Sequence, residues 1–119
     1  MTNRDVVNFC NARQIFGNKK LPVRLAFALK LNYEKLKTCA DAHNKQFAEI
    51  KKKYTKENGE LTDDTKELEE FAKDIDELMS TKVACDIQKV DISLLEKCDQ
   101  DQFDSLSLDE VEILNFMIE

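Results

Sequence analysis

Residues 22–58, PVRLAFALKLNYEKLKTCADAHNKQFAEIKKKYTKEN, read as one long helix around which the rest of the chain must be arranged. Ala26, Tyr33, Ala40, Phe47 and Tyr54 recur every seven residues, and Leu29, Leu36, His43 and Ile50 repeat that period three residues later. Such spacing is a coiled-coil seam, with His43 as a polar member that can tune register. Pro22 suits a first helical turn, where its missing N–H costs nothing. Asn58 and Gly59 both tolerate the left-handed backbone that stops a helix. At 1.5 Å per residue the element would be roughly 55 Å long. A compact domain of 119 residues is narrower than that, so a partner helix or another chain has to cover part of it.

Beyond Gly59-Glu60-Leu61, Asp63 and Asp64 are suited to cap a second helix over about 63–80. Its apolar stripe is Leu68, Ala72, Ile75 and Met79, widened by Phe71 and Leu78. The short connection makes the two helices antiparallel neighbours, and this register covers only the distal half of the long helix. The proximal half, 22–39, falls to the N-terminal helix, the C-terminal segment or a second subunit. The N-terminal helix is expected over 3–16, from Val6, Val7, Phe9, Cys10, Ile15 and Phe16, with Thr2 or Asn3 as its cap. A basic loop, Gly17-Asn18-Lys19-Lys20, joins it to the long helix.

Over 82–90, Val83, Cys85 and Ile87 alternate with Ala84, Asp86 and Gln88, the pattern of a strand. No second strand of that quality is visible, so its backbone would pair with the N-terminal segment or with the same strand of another copy. A short helix begins at Asp91–Leu95, and residues 99–105 form an acidic loop. Ser107 and Glu110 form a capping box opening a last helix, whose Val111, Leu114, Phe116 and Met117 seek a core. The expected fold is mainly α: a long antiparallel helical hairpin with a small α+β base carrying one short strand. It forms a single domain, 1–119, with 1–38 and 81–119 as the base and 39–80 as the projecting hairpin. A homo-oligomer, dimer or higher, is expected because the proximal helix and the strand both lack evident partners.

With two Gly and one Pro, the chain is poor in the turns an all-β fold needs. No apolar run approaches the length of a membrane-spanning helix. Met1–Asp5 lacks a signal-peptide core, so the expected location is cytoplasmic. Cys10, Cys39, Cys85 and Cys98 form no C-x-x-C pair and are read as small apolar side chains without metal or disulfide.

The net charge of −6 conceals a polarity. Residues 1–58 carry 13 Lys/Arg against 5 Asp/Glu, whereas 59–119 carry 5 Lys against 19 Asp/Glu. Halves so opposed are expected to face each other, or to leave one basic surface for an anion.

Enzyme motifs are absent. There is no Gly-rich phosphate loop, G-x-S-x-G or H-E-x-x-H, and the neighbours Asp63/Asp64 and Glu69/Glu70 point different ways along a helix. His43, the single histidine, is a seam residue. No catalytic activity and no cofactor are expected. The stretch with promise runs from Arg13 to Lys30. Arg13, Lys19, Lys20 and Arg24 are candidates for holding an anion near the start of the long helix, where free N–H groups and the helix dipole help. Tyr33 is a candidate to stack on a ring. A nucleotide-like small molecule fits these residue types, whereas extended nucleic acid would be repelled by the acidic chain.

The order of elements resembles a family of small uncharacterised proteins of phages and prophages of Gram-positive bacteria. The likeness rests on the N-terminal helix, then Lys20-Leu21-Pro22 opening a long charged helix, Tyr54 through Asn58-Gly59-Glu60 at its turn, Ser80-Thr81-Lys82-Val83 entering a strand, and Leu106-Ser107-Leu108 to Phe116-Met117-Ile118 at the end. It implies a viral accessory protein acting in the bacterial host cytoplasm. Two roles follow as expectations. One is a non-catalytic binding protein that counteracts host defence, by sequestering an anionic nucleotide-like signal or occluding a host defence protein. The other is a structural or tail-assembly accessory protein working through helical contacts.

Overall fold

The computed structural model, which describes Met1–Glu119, is mainly helical. Its six α-helices are α1 (Asn3–Asn11), α2 (Arg13–Gly17), α3 (Val23–Lys53), α4 (Thr65–Ser80), α5 (Ser93–Glu96) and α6 (Leu108–Leu114). Short 3₁₀ turns extend α5 and α6. The long helix therefore forms, with Pro22 as its N-cap residue, but it ends at Lys53 rather than at Asn58. The chain folds back there: the Thr62 N–H donates to the Tyr54 carbonyl (2.8 Å) and Lys56 N–H to that of Glu60 (2.7 Å). Gly59 takes the turn position at φ +87°, the one left-handed residue in the chain.

Local caps follow the sequence. Thr2 caps α1 in a box with Asp5, Asp64 accepts the Glu67 N–H at the start of α4, and Ser107 with Glu110 boxes the start of α6. The helix expected over 3–16 is broken at Ala12, which has left helical geometry at ψ 0°. Ala12 is itself buried, and the break lets Phe9 and Phe16 both enter the core.

That core lies on the proximal half of α3. Leu25, Ala28, Leu29 and Leu36 pack with Val6, Phe9, Ala12 and Phe16 from the N-terminal helices and with Val90, Leu95, Cys98, Leu114 and Met117 from the C-terminal segment. One chain thus supplies the cover for which a second subunit stood as an alternative.

The strand expected over 82–90 does not form, and there is no sheet. The segment is extended, with Val83, Cys85 and Ile87 half-buried and Ala84, Asp86 and Gln88 exposed, as the alternation predicts. A single strand needs a continuous partner, and this one has three partners in turn. Met1–Asn3 pair with Thr81–Val83, the Asn32 side chain grips Gln88, and Met117–Glu119 pair with Val90.

The distal half of α3 is covered differently. Phe71 of α4 meets Tyr54 edge-on at 5.5 Å, and the Tyr54 hydroxyl donates to Asp74 (2.7 Å). At the other end of α4, the Asn3 side-chain amide donates to the Leu78 carbonyl (2.9 Å). All four ion pairs join a cation of residues 1–58 to a carboxylate of 59–119: Arg4–Asp76, Lys19–Glu110, Lys53–Asp74 and Lys56–Asp63. The two oppositely charged halves do face each other.

Candidate anion-binding site

Along α3, Lys30, Tyr33 and Lys37 lie three and four residues apart and so share one face. The α1–α2 break lays Arg13 over this face, because Phe16, three residues on, is anchored in the core. These residues, with Lys19, line a cleft of about 470 Å³ whose floor is Phe16, Leu21 and Leu29. That volume is within the range of small-ligand pockets. Glu34 is the carboxylate among the lining residues. Arg13, Lys30 and Lys37 have no carboxylate within ion-pair distance, whereas Lys19 is held by Glu110 at 3.3 Å and by the Ser105 carbonyl at 3.2 Å. Glu110 is kept below its ordinary pKa, first by the Ser107 N–H and then by Lys19, so it is ionised and offsets the Lys19 charge.

Tyr33 is sandwiched. Phe9 stacks on one face, 4.2 Å between centroids at 11°, and the Arg13 guanidinium lies over the ring at 5.6 Å. A ligand ring reaches Tyr33 only where Arg13, which is exposed, moves aside. The Tyr33 hydroxyl is buried and has no hydrogen-bond partner. Burial, followed by the neighbouring Cys10 thiol, pushes its pKa well above the ordinary tyrosine value, so the phenol stays protonated.

The candidate residues thus separate into two groups. Arg13, Lys19 and Tyr33 come together in the cleft. Lys20 does not join them: its N–H donates to Asp104 Oδ2 (2.7 Å), and its carbonyl accepts from the Asp104 N–H (2.8 Å). Arg24 lines a separate cleft of about 430 Å³ with Phe27, Lys89 and Lys97. Lys30 and Lys37 were not among the candidates, although their places one turn either side of Tyr33 are readable from helical spacing.

The four cysteines are free, and those distant in sequence are not all distant in space. The Cys85 thiol lies against Cys39 and 3.9 Å from the Lys35 carbonyl, and burial raises the pKa of Cys10, Cys85 and Cys98. His43 is buried near Leu78 and Val83, with Nδ1 unpartnered, and burial holds its pKa below the ordinary value.

A histidine kept neutral in the fold stabilises it above the unfolded-state value of about 6.5 and loses that contribution as pH falls. Urea midpoints of the wild type are therefore expected to drop between neutral pH and pH ~5.5, and His43→Leu to flatten that drop. Asp63, Asp91 and Glu110, whose values are lowered, act in the same direction but below about pH 4. Equal slopes for wild type and His43→Leu would show that the imidazole is not the titrating group.

No protein-family model, curated protein or solved structure matches this chain.

Proposed function

We propose that this protein is a non-catalytic binding protein that sequesters an anionic, nucleotide-like small molecule in the cleft between α2 and α3, and that it works as a homo-oligomer. The single observation behind this reading is the set of three cations without carboxylate partners, Arg13, Lys30 and Lys37, around an apolar floor and the Tyr33 ring. Charge-assisted contacts from such groups hold a phosphate or carboxylate, while Leu21, Leu29 and Phe16 receive the uncharged body. On this reading α3 and α4 form an antiparallel hairpin that projects from the base carrying the cleft. The resemblance to phage and prophage proteins gives the binding a purpose, removal of a defence signal from the infected cell.

Native mass spectrometry of protein purified from a bacterial host, before and after gentle denaturation, tests for a retained small molecule. Calorimetric titration with ADP, a cyclic dinucleotide and inorganic pyrophosphate tests the chemistry directly. Arg13→Glu with Lys37→Glu is expected to weaken binding about a hundredfold or more, since each charge-assisted contact is worth about 1.5–3 kcal/mol. Both residues are exposed, so the fold should be unchanged. Tyr33→Phe removes a buried hydroxyl without a partner and is expected to leave stability equal or higher. No retained mass, with no heat from any probe, would overturn the sequestering reading.

A further inference from the structure

We propose that two copies of this chain pair through the open flank of α3 and α4, with a two-fold axis along these helices that sets the lysines of one copy's α3 against the carboxylates of the other's α4. This rests on the homo-oligomer reading above but not on the cleft.

Coverage is the first ground. Leu68, Ala72, Ile75 and Met79 fall on one narrow stripe of α4, yet α4 has no buried residue. Ala72 is exposed, Leu68 is 38% exposed, and Ile75 and Met79 are half-buried. Across from them, Phe47 and Ile50 of α3 are also half-buried. Beyond Leu36, His43 is the one residue of α3 that is buried. One flank of this seam is closed by Lys53 and Asp74. The other carries Leu68 and Ala72 on α4, with Lys51 opposite by helical spacing.

Area is the second. The chain exposes 8202 Å², whereas a compact monomer of this mass exposes about 6,600 Å². The radius of gyration is 17.5 Å, against about 13.5 Å for a compact chain of this length. The surplus, about 1,600 Å², exceeds the ~800 Å² per partner that a standard stable interface buries.

Charge decides the occupant. The α4 helix carries six Asp/Glu and two Lys. Glu69, which borders Leu68 and Ala72 around α4, makes no ion pair within the chain, and neither does Lys51, which borders Phe47 around α3. A surface acidic along one edge and basic along the other is complementary to its own copy rotated about an axis along the helices. That rotation places α3 over the partner's α4 and makes an isologous, closed dimer with a four-helix core. An axis across the helices would stack like charges instead.

The test uses the whole chain in sedimentation velocity over a wide concentration range, with three exposed-site variants checked by circular dichroism. The wild type is expected to be a dimer. Leu68→Glu is expected to raise the dissociation constant about tenfold or more. K51E and E69K should each dimerise more weakly alone, because each reversal faces like charge. Mixed in equal amounts they should form a heterodimer, because both contacts then join opposite charges. A wild type that is monomeric throughout would overturn this dimer and the homo-oligomer reading together, without touching the cleft. An oligomer indifferent to all three variants would overturn the arm pairing alone, as would two folded charge-reversed proteins that fail to combine.

Discussion

Replacing Asn32 with Leu is expected to destabilise the protein by about 3 kcal/mol, although the leucine is apolar and the site is wholly buried. Asn32 lies on the core side of α3, and its side-chain amide mimics a strand edge. Its Oδ1 accepts the Gln88 N–H (2.7 Å), and its Nδ2 donates to the Gln88 carbonyl (2.9 Å). The same Nδ2 lies 3.6 Å from Met117 Sδ. The amide thus holds the middle of the extended 82–90 segment, between the stretches paired to the N-terminus and to the C-terminus. Leucine fills the space but leaves both Gln88 backbone groups without their partner, and each lost contact costs about 1–3 kcal/mol where water cannot replace it. Asn32→Asp is expected to be at least as harmful, because it keeps the acceptor but turns an oxygen toward the Gln88 carbonyl. Thermal unfolding should fall by about 10–15 °C. The local readout is hydrogen exchange: the Gln88 amide should be protected in the wild type and lose protection first in the variant. A Gln88 amide that exchanges freely in the wild type would sink this account.

Asn32 also shows why only part of the fold was legible. Its partner is 56 residues away in sequence, and no spacing rule links a helix asparagine to a glutamine backbone. The strand expected over 82–90 failed for that reason: the alternation was real, but the partners are a side chain and two chain ends. Local signals fared better. Thr2, Asp64 and Ser107 cap the helices that follow them, because capping is settled within four residues of chain. The heptad seam located α3 but overran its end. Tyr54–Thr62 close on themselves through backbone bonds that a helical period does not register. The break at Ala12 involves neither Gly nor Pro and is imposed by packing, since two phenylalanines on either side are drawn into one core. The same break decides the site. It brings Arg13 to Tyr33, whereas of the other expected site residues Lys20 is bonded through its backbone to Asp104 and Arg24 lines another cleft.

Phe9→Ala is the substitution expected to cost most, about 3–5 kcal/mol, the range for emptying a buried phenylalanine site. Phe9 is fully buried in α1 and touches rings from both other parts of the core. It stacks on Tyr33 of α3 and meets Phe116 edge-on at 5.0 Å. Such geometry adds about 0.5–1.5 kcal/mol per pair beyond buried area. A domain of this size has roughly 5–15 kcal/mol in total, so the alanine variant should be close to unfolding at ordinary temperature. Phe9→Leu keeps most of the volume and should cost about 1–2 kcal/mol, leaving a folded protein in which the effect on the cleft can be read separately. Without the stacked ring behind it, Tyr33 loses the support that fixes its plane, and Arg13 loses its fixed platform. Titration of Phe9→Leu with the best probe found for the wild type should therefore show weaker binding at unchanged charge. If Phe9→Leu binds as the wild type does, the cations alone make the site and the Phe9–Tyr33 stack serves only the core. If it binds more weakly while circular dichroism and the urea slope stay native, the stack is what ties the stability of this fold to the shape of its cleft.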